Sequence, residues 1–307
     1  MAKPNQTISA LAWAELLLLG LVWGGAFYVG RLAVGHVPPL VLVAIRVALA
    51  ALVLLVVLGW RIRHDLRLAA RQWPAFLVLA LINNVIPFSL IFAGQTQLGA
   101  GVASVINATV PFWTAILAHL LTSDDHIDAG RIVGIALGVA GTMLMLSPSI
   151  TGLSQTPLWA RLAVLGATLS YASAAIFARR FRAIAPPAIA TAQLLGSTLI
   201  MVPVLLIMHP AFDVAAVPQA VWLAIVALAV FATALAYILY FDIIARAGAT
   251  NASLVTFLVP ISAIALGAIL LGERLRAQEL LGMTVIFAGL VVFDGRIIRR
   301  IASAVRP

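Results

Sequence analysis

Asn83 and Asn84 stand side by side in an otherwise apolar run, with Pro87 and Phe88 just behind them. An Asn side chain both donates and accepts hydrogen bonds, so it suits a carboxylate and an ammonium equally. Pro87 lacks an N–H and leaves a carbonyl free one turn back. Polar groups of this kind are expensive in hydrocarbon and therefore mark binding sites, although membrane Asn also bonds neighbouring helices. Ser104 and Asn107 lie three residues apart on one helix face, and Ser253 and Thr256 repeat that spacing further along.

The aromatic residues extend the pattern. Trp23, Phe88, Tyr171 and Tyr237 fall inside apolar runs, where an aromatic face packs against a flat apolar side chain. Trp23 sits mid-run beside Gly24-Gly25, away from the interfacial positions where Trp anchors, so it reads as a cavity wall. Trp13, Trp60, Trp73, Trp159 and Trp222 fall near run ends and read as interfacial belts. The candidate substrate-binding set is thus Trp23, Asn83, Asn84, Phe88, Ser104, Asn107, Tyr171, Tyr237, Ser253 and Thr256. Gly24, Gly25, Pro87, Pro111 and Pro260 are the candidate positions for bending or rocking.

Ionisable groups are few. Arg46 is the one basic residue well inside a run, seven positions past Pro39 and ~10 Å deep at the helical rise. It either receives a carboxylate or serves structurally, by snorkelling or by bonding backbone carbonyls, and its position alone leaves both open. Glu15 and Asp242 lie near run ends, away from the expected midplane, where Glu15 also reads as a helix-start acid.

Covalent and metal chemistry find no support. Cysteine is absent, and HExxH, GxSxG and phosphate-loop motifs are missing. His36, His64, His119, His126 and His209 are scattered without ligand spacing. An enzyme, a metal centre and a cofactor are therefore not expected. Without an ATP-binding motif, any drive must come from a gradient.

The elements that must position these residues follow from hydropathy. The 307-residue chain is 64% hydrophobic and 9% charged, with mean hydropathy +1.13. A soluble domain carries about 25% charge, so the expected solvent is a bilayer. Ten runs approach the ~20 apolar residues that cross one. They cover roughly 12–34, 39–59, 73–93, 98–121, 130–147, 158–178, 187–208, 219–241, 248–271 and 277–295. The first reads as a retained helix, since no small-residue cleavage site follows it. The fold class is an all-α integral membrane protein.

The net charge of +9 would suggest nucleic acid in a soluble chain, but the basic residues sit between apolar runs. With the N-terminus cytoplasmic, fourteen of the nineteen Lys and Arg fall on the inner side and four on the outer, and Arg46 lies within a helix. That bias places both termini in the cytoplasm. Nucleic acid is not an expected partner; the bilayer and a small molecule are.

The chain also repeats itself. At an offset of 149, Trp73 meets Trp222, Ser104 meets Ser253, Pro111 meets Pro260, and Asp124 meets Glu273, acid on acid. From Trp73 to Asp124, 14 of 52 positions match without a gap. Offset 148 aligns Trp23 with Tyr171 and Gly141 with Gly289. Two five-helix copies result, residues 1–150 and 151–307. Five is odd, so the second copy enters the membrane from the opposite side, the arrangement behind alternating access. Gly130, Gly134 and Gly138, with Gly282 and Gly289, form small-residue stripes for helix packing or a dimer surface. The chain is expected to be a monomer or a homodimer.

Trp23-Gly24-Gly25, Arg46, the Gly-Ala-x-x-Ala-Ser starts of helices four and nine, and Leu271-Gly272-Glu273-Arg274-Leu275 resemble the EamA-type branch of the drug/metabolite transporter superfamily. The chain is most similar to YddG-like exporters of aromatic amino acids. The first half departs from the pattern at Asp124-Asp125-His126. The resemblance implies ten helices, a central cavity, and export of small metabolites across a bacterial inner membrane, amino acids including aromatic ones foremost. The alternative is a proton-coupled multidrug exporter using Glu15.

Overall fold

The computed structural model describes residues 9–121, 129–150, 156–209, 211–247 and 252–295. Asp124 and Gly248, two positions of the sequence repeat, lie outside them. Every regular element among the described residues is helical. The spans are α1 (Ala10–Ala33), α2 (Pro39–Ala70), α3 (Trp73–Gln95), α4 (Ala100–Leu121), α5 (Ala129–Ile150), α6 (Leu158–Phe181), α7 (Pro186–Met208), α8 (Gln219–Ala247), α9 (Val255–Leu271) and α10 (Ala277–Asp294). Nine are long and apolar enough to cross a membrane; α9, described from Val255, has 17 residues.

Local chemistry accounts for the starts. The Ser9 hydroxyl accepts from the Ala12 N–H at 3.2 Å and caps α1. Pro39 and Pro186 occupy the first turns of α2 and α7, where a missing N–H is harmless. The α2 helix continues past the expected end at residue 59 to Ala70. Its last turns carry Arg61, Arg63 and Arg67 and extend beyond the apolar run.

Contacts fix the two ends of the bundle. Near the N-terminus, Glu15 of α1 faces Arg246 at the end of α8 (4.0 Å), and Asp65 of α2 accepts from the Ala185 N–H before α7 (3.4 Å). At the far end, Arg31 of α1 donates to the Gln95 carbonyl of α3 (2.8 Å). Leu17, Val56, Leu206 and Ile269 stay exposed, the face a bilayer covers.

Packing follows a swap of halves. The α1–α9 contact is matched by α6–α4, α3–α6 by α8–α1, and α3–α7 by α8–α2, while α2–α7 and α5–α10 pair with themselves. The α5–α10 crossing shows it atom by atom. A Cβ on Gly289 would lie 2.8 Å from the Gly134 carbonyl, and one on Gly282 would lie 2.9 Å from the Gly141 carbonyl. Residues 134 and 141 map onto 282 and 289, so each glycine pair is the image of the other. The glycine stripes are used within the chain, where backbones touch.

The swap reaches the backbone itself. Leu81–Val85 in α3 and Val230–Leu235 in α8 are π-helical turns that begin 149 residues apart. Pro87 explains the first by removing a ladder donor. In the second, the Thr233 hydroxyl donates to the Leu228 carbonyl five residues back, at 3.1 Å. Such turns are frequent at functional sites.

Candidate functional site

The two π-turns border a cavity of about 580 Å³ in the middle of the bundle. Helices α1, α2, α3, α4, α6, α7, α8 and α9 contribute to its wall. Of the residues expected from sequence, Trp23, Asn83, Phe88, Ser104, Asn107, Tyr171, Tyr237 and Thr256 line it, as does Pro260. Asn84 and Ser253 do not. Asn84 is fully buried behind the wall, where its amide donates to Ser197 Oγ (3.0 Å) and its oxygen accepts from the Tyr237 hydroxyl (3.4 Å). It holds a wall residue in place. Ser253 lies at the exposed start of α9.

The bending positions fall into two kinds. In α4, the helix breaks at Ala108-Thr109, two residues before Pro111, and the Ala108 and Thr109 N–H groups turn to carbonyls three residues back. Pro87 follows the first π-turn. Pro260 sits inside a continuous α9. Gly24 packs against Ser262 and Ala263 of α9, whereas a Cβ on Gly25 would meet only Leu266, at 3.8 Å.

The wall is aromatic and nearly neutral. Trp23 tilts against Tyr240 with centroids 5.4 Å apart, Phe88 meets Tyr171 edge-on at 6.4 Å, and Tyr237 stacks on Phe241 at 6.0 Å. Tyr240, Phe241, Phe27, Phe92 and Gln193 also line the cavity; the three Phe escape a sequence reading, because nothing local separates them from packing residues. Among the described residues Arg46 is the only charged one in the lining, 8% exposed. Its Nε donates to Thr233 Oγ1 at 2.9 Å, and its guanidinium lies 3.9 Å over the Phe88 ring. At the π-turn of α3, Asn83 Nδ2 donates to Gln193 Oε1 of α7 at 2.8 Å. The Asn107 side-chain oxygen is buried and lacks a protein partner.

Glu15 lies outside this wall. It shares Arg246 with Asp242, whose carboxylate is the closer partner at 2.8 Å. A carboxylate so placed serves the end of the bundle.

At the far end a second carboxylate ties four helices. Gly272 ends α9 with φ +65°, which turns the chain so that the Glu273 N–H returns to the Gly267 carbonyl (3.0 Å). The Glu273 side chain then accepts from the Ala100 and Gly101 N–H groups at the start of α4 (3.1 and 3.5 Å). A carboxylate there meets the positive helix end. Gly99 and Gly267 make room for it, since a Cβ on either would fall 2.7 or 2.5 Å from Glu273 Oε2. Arg31 stands 4.0 Å away and also holds the end of α3. In the sequence, the acid-on-acid match of the repeat and the Leu271-Gly272-Glu273-Arg274-Leu275 motif mark Glu273, but neither names its partners. In the opposite direction, Ala174, Ala178 and Pro186 carry the cavity wall toward the N-terminal end.

Arg161, an end charge in the sequence reading, is buried. Its Nη2 meets Glu279 Oε1 at 2.6 Å and its Nη1 donates to the Met145 carbonyl, joining α5, α6 and α10.

Comparison with known proteins gives one family. The sequence model of the EamA-like transporter family matches residues 9–147 and again 158–293. A protein of Salmonella typhimurium described as "Probable amino-acid metabolite efflux pump" is 26% identical, over 90% of this chain and 92% of its own. "Uncharacterized transporter YvbV" of Bacillus subtilis is 25% identical over 99% of this chain and 97% of its own. "Uncharacterized inner membrane transporter YedA" of Escherichia coli is 26% identical over 96% and 94%. A solved structure described as "Crystal structure of protein" superposes with a TM-score of 0.67 at 17% identity, covering 95% of this chain and 99% of that one. That likeness speaks for the fold.

Proposed function

The chain belongs to the EamA-like transporter family, and on that premise we propose that it exports small amino-acid metabolites, aromatic ones included, by alternating access. The observation that carries this reading is the cavity: aromatic walls, amide and hydroxyl groups between them, and no carboxylate among the described lining residues. Its 580 Å³ falls within the range of small-molecule pockets. Two relatives carry the name amino-acid metabolite efflux pump, and a third is named as an inner membrane protein, which supports that membrane.

The two family matches, with a gap between 147 and 158, support five-helix units of 1–150 and 151–307 in inverted orientation. With both termini cytoplasmic, as the Lys and Arg bias indicates, the Glu273 latch closes the outer end and the cavity leads inward. Loading from the cytoplasm and release on breaking the latch then constitute export. A multidrug cation pump requires an acid in the cavity, and Glu15 is not in the wall.

Uptake of labelled phenylalanine, tryptophan, methionine, threonine and a cationic drug into liposomes holding the purified protein tests the reading, with and without a pH gradient. Saturable amino-acid uptake without the gradient is expected. Drug uptake alone, lost without the gradient, would overturn it.

A further inference from the structure

We propose that Arg46 is the receptor for a carboxylate on the transported molecule, so that the carboxylate is required for binding and the ammonium is dispensable. This rests on the reading of the cavity as the transport site. A guanidinium offers donors along its planar edge and a face for stacking. Here Nε is taken by Thr233 and the face by Phe88, with Phe92 at 5.7 Å. Both contacts leave the two terminal amino groups, and with them the bidentate edge that fits a carboxylate.

No carboxylate among the described residues pairs with Arg46. A buried cation without a counter-ion is a costly arrangement in the middle of a bilayer. The Thr233 hydroxyl and two rings compensate part of that cost, and an arriving anion supplies the rest. Snorkelling is excluded by the same geometry, because the head group is pinned between α8 and the α3 rings inside the cavity.

Among the described residues the lining holds this one cation and no anion, so the two ends of a zwitterion are treated unequally. Its carboxylate finds a full charge. Its ammonium finds only neutral groups, the amides and hydroxyls of the lining. An aryl carboxylate without the amine keeps the stronger contact, whereas an aryl amine without the carboxylate meets Arg46 as a like charge.

Titration calorimetry on the purified full-length protein tests this with L-phenylalanine, 3-phenylpropionate, phenylalaninamide and phenethylamine, together with the thermal shift each produces. Phenylalanine and phenylpropionate are expected to bind and raise the midpoint; the amide and the amine are expected to bind at least about tenfold more weakly. Arg46→Gln should lose at least about tenfold for the two acids only, and Arg46→Lys should fall between, having charge without the planar edge. Should Arg46→Gln fail to fold, the ligand series on the unchanged protein decides alone. Equal binding of acid and amide, binding of acids to a folded Arg46→Gln protein unchanged, or no binding of either acid would overturn the proposal. Acids that bind through Arg46 yet never cross a liposome membrane would uphold it and overturn the transport reading instead.

Discussion

Asn83 Nδ2 donates to Gln193 Oε1 across the two halves at 2.8 Å, and its near counterpart, one residue off the repeat register at each end, is the 2.9 Å bond from Arg46 to Thr233. Each bond joins the early part of α2 or α7 to a π-turn in α8 or α3. The framework is nearly two-fold, but one bond is neutral and the other carries a cation. The cavity therefore has a charged side and an amide side.

Gln193→Glu should redistribute that asymmetry. An acid opposite Arg46 competes with a bound carboxylate, so the affinity for phenylalanine should fall roughly tenfold and that for phenethylamine should rise. Equilibrium binding of both ligands reads the outcome, and unchanged ratios would refute the charge argument.

Glu273→Gln retains the shape of the latch and removes its charge. Its bonds to the α4 start and its attraction to Arg31 weaken, so the far end should open more often. The chain has no cysteine, so a single Ile91→Cys reports from the cavity wall. Its labelling rate with a membrane-impermeant maleimide added from the far side should rise several-fold in the Glu273→Gln background. An unaltered rate would remove Glu273 from the gate.

Gly289→Val places a side chain 2.8 Å from the Gly134 carbonyl, where backbone cannot yield. Overpacking of this kind destabilises by about 1–3 kcal/mol or more. A drop of several degrees in the unfolding midpoint, or loss of folded protein, is expected. Gly25→Ala, with open space to 3.8 Å, should leave the midpoint nearly unmoved.

Arg161→Met strands the Glu279 carboxylate, which is 5% exposed. Removing one member of a buried pair destabilises by about 3–5 kcal/mol, whereas replacing both can be nearly neutral. Detergent-melting curves should thus rank Arg161→Met below Arg161→Met combined with Glu279→Leu. The reverse order would show that the pair stabilises beyond its mutual charge.

Glu15→Gln separates the two transport readings. Its carboxylate faces Arg246 outside the cavity wall, so phenylalanine uptake should persist with and without a pH gradient. Loss of uptake in a folded Glu15→Gln protein would make it the proton site.

The helices, their number and their duplication were legible in the chain, because apolar length and a matched register are properties of consecutive residues. Trp23, Asn83, Phe88 and Asn107 were legible as cavity residues for a related reason: polar or aromatic groups deep in apolar runs need somewhere to go. Tertiary structure decided the rest. The same Asn pair splits, Asn83 into the cavity and Asn84 onto Ser197 behind it, because neighbouring helical residues point about 100° apart and only the packed bundle decides which one meets the cavity. Arg46, open between two roles in sequence, stands in the cavity with its edge free because Thr233, 187 residues away, holds one side of it. Glu273 reads locally as an acid after a glycine; its seat on the α4 start needs Gly99 and Gly267 from two other stretches. Hydropathy is summed along the chain, whereas a partner for a buried charge is chosen across it.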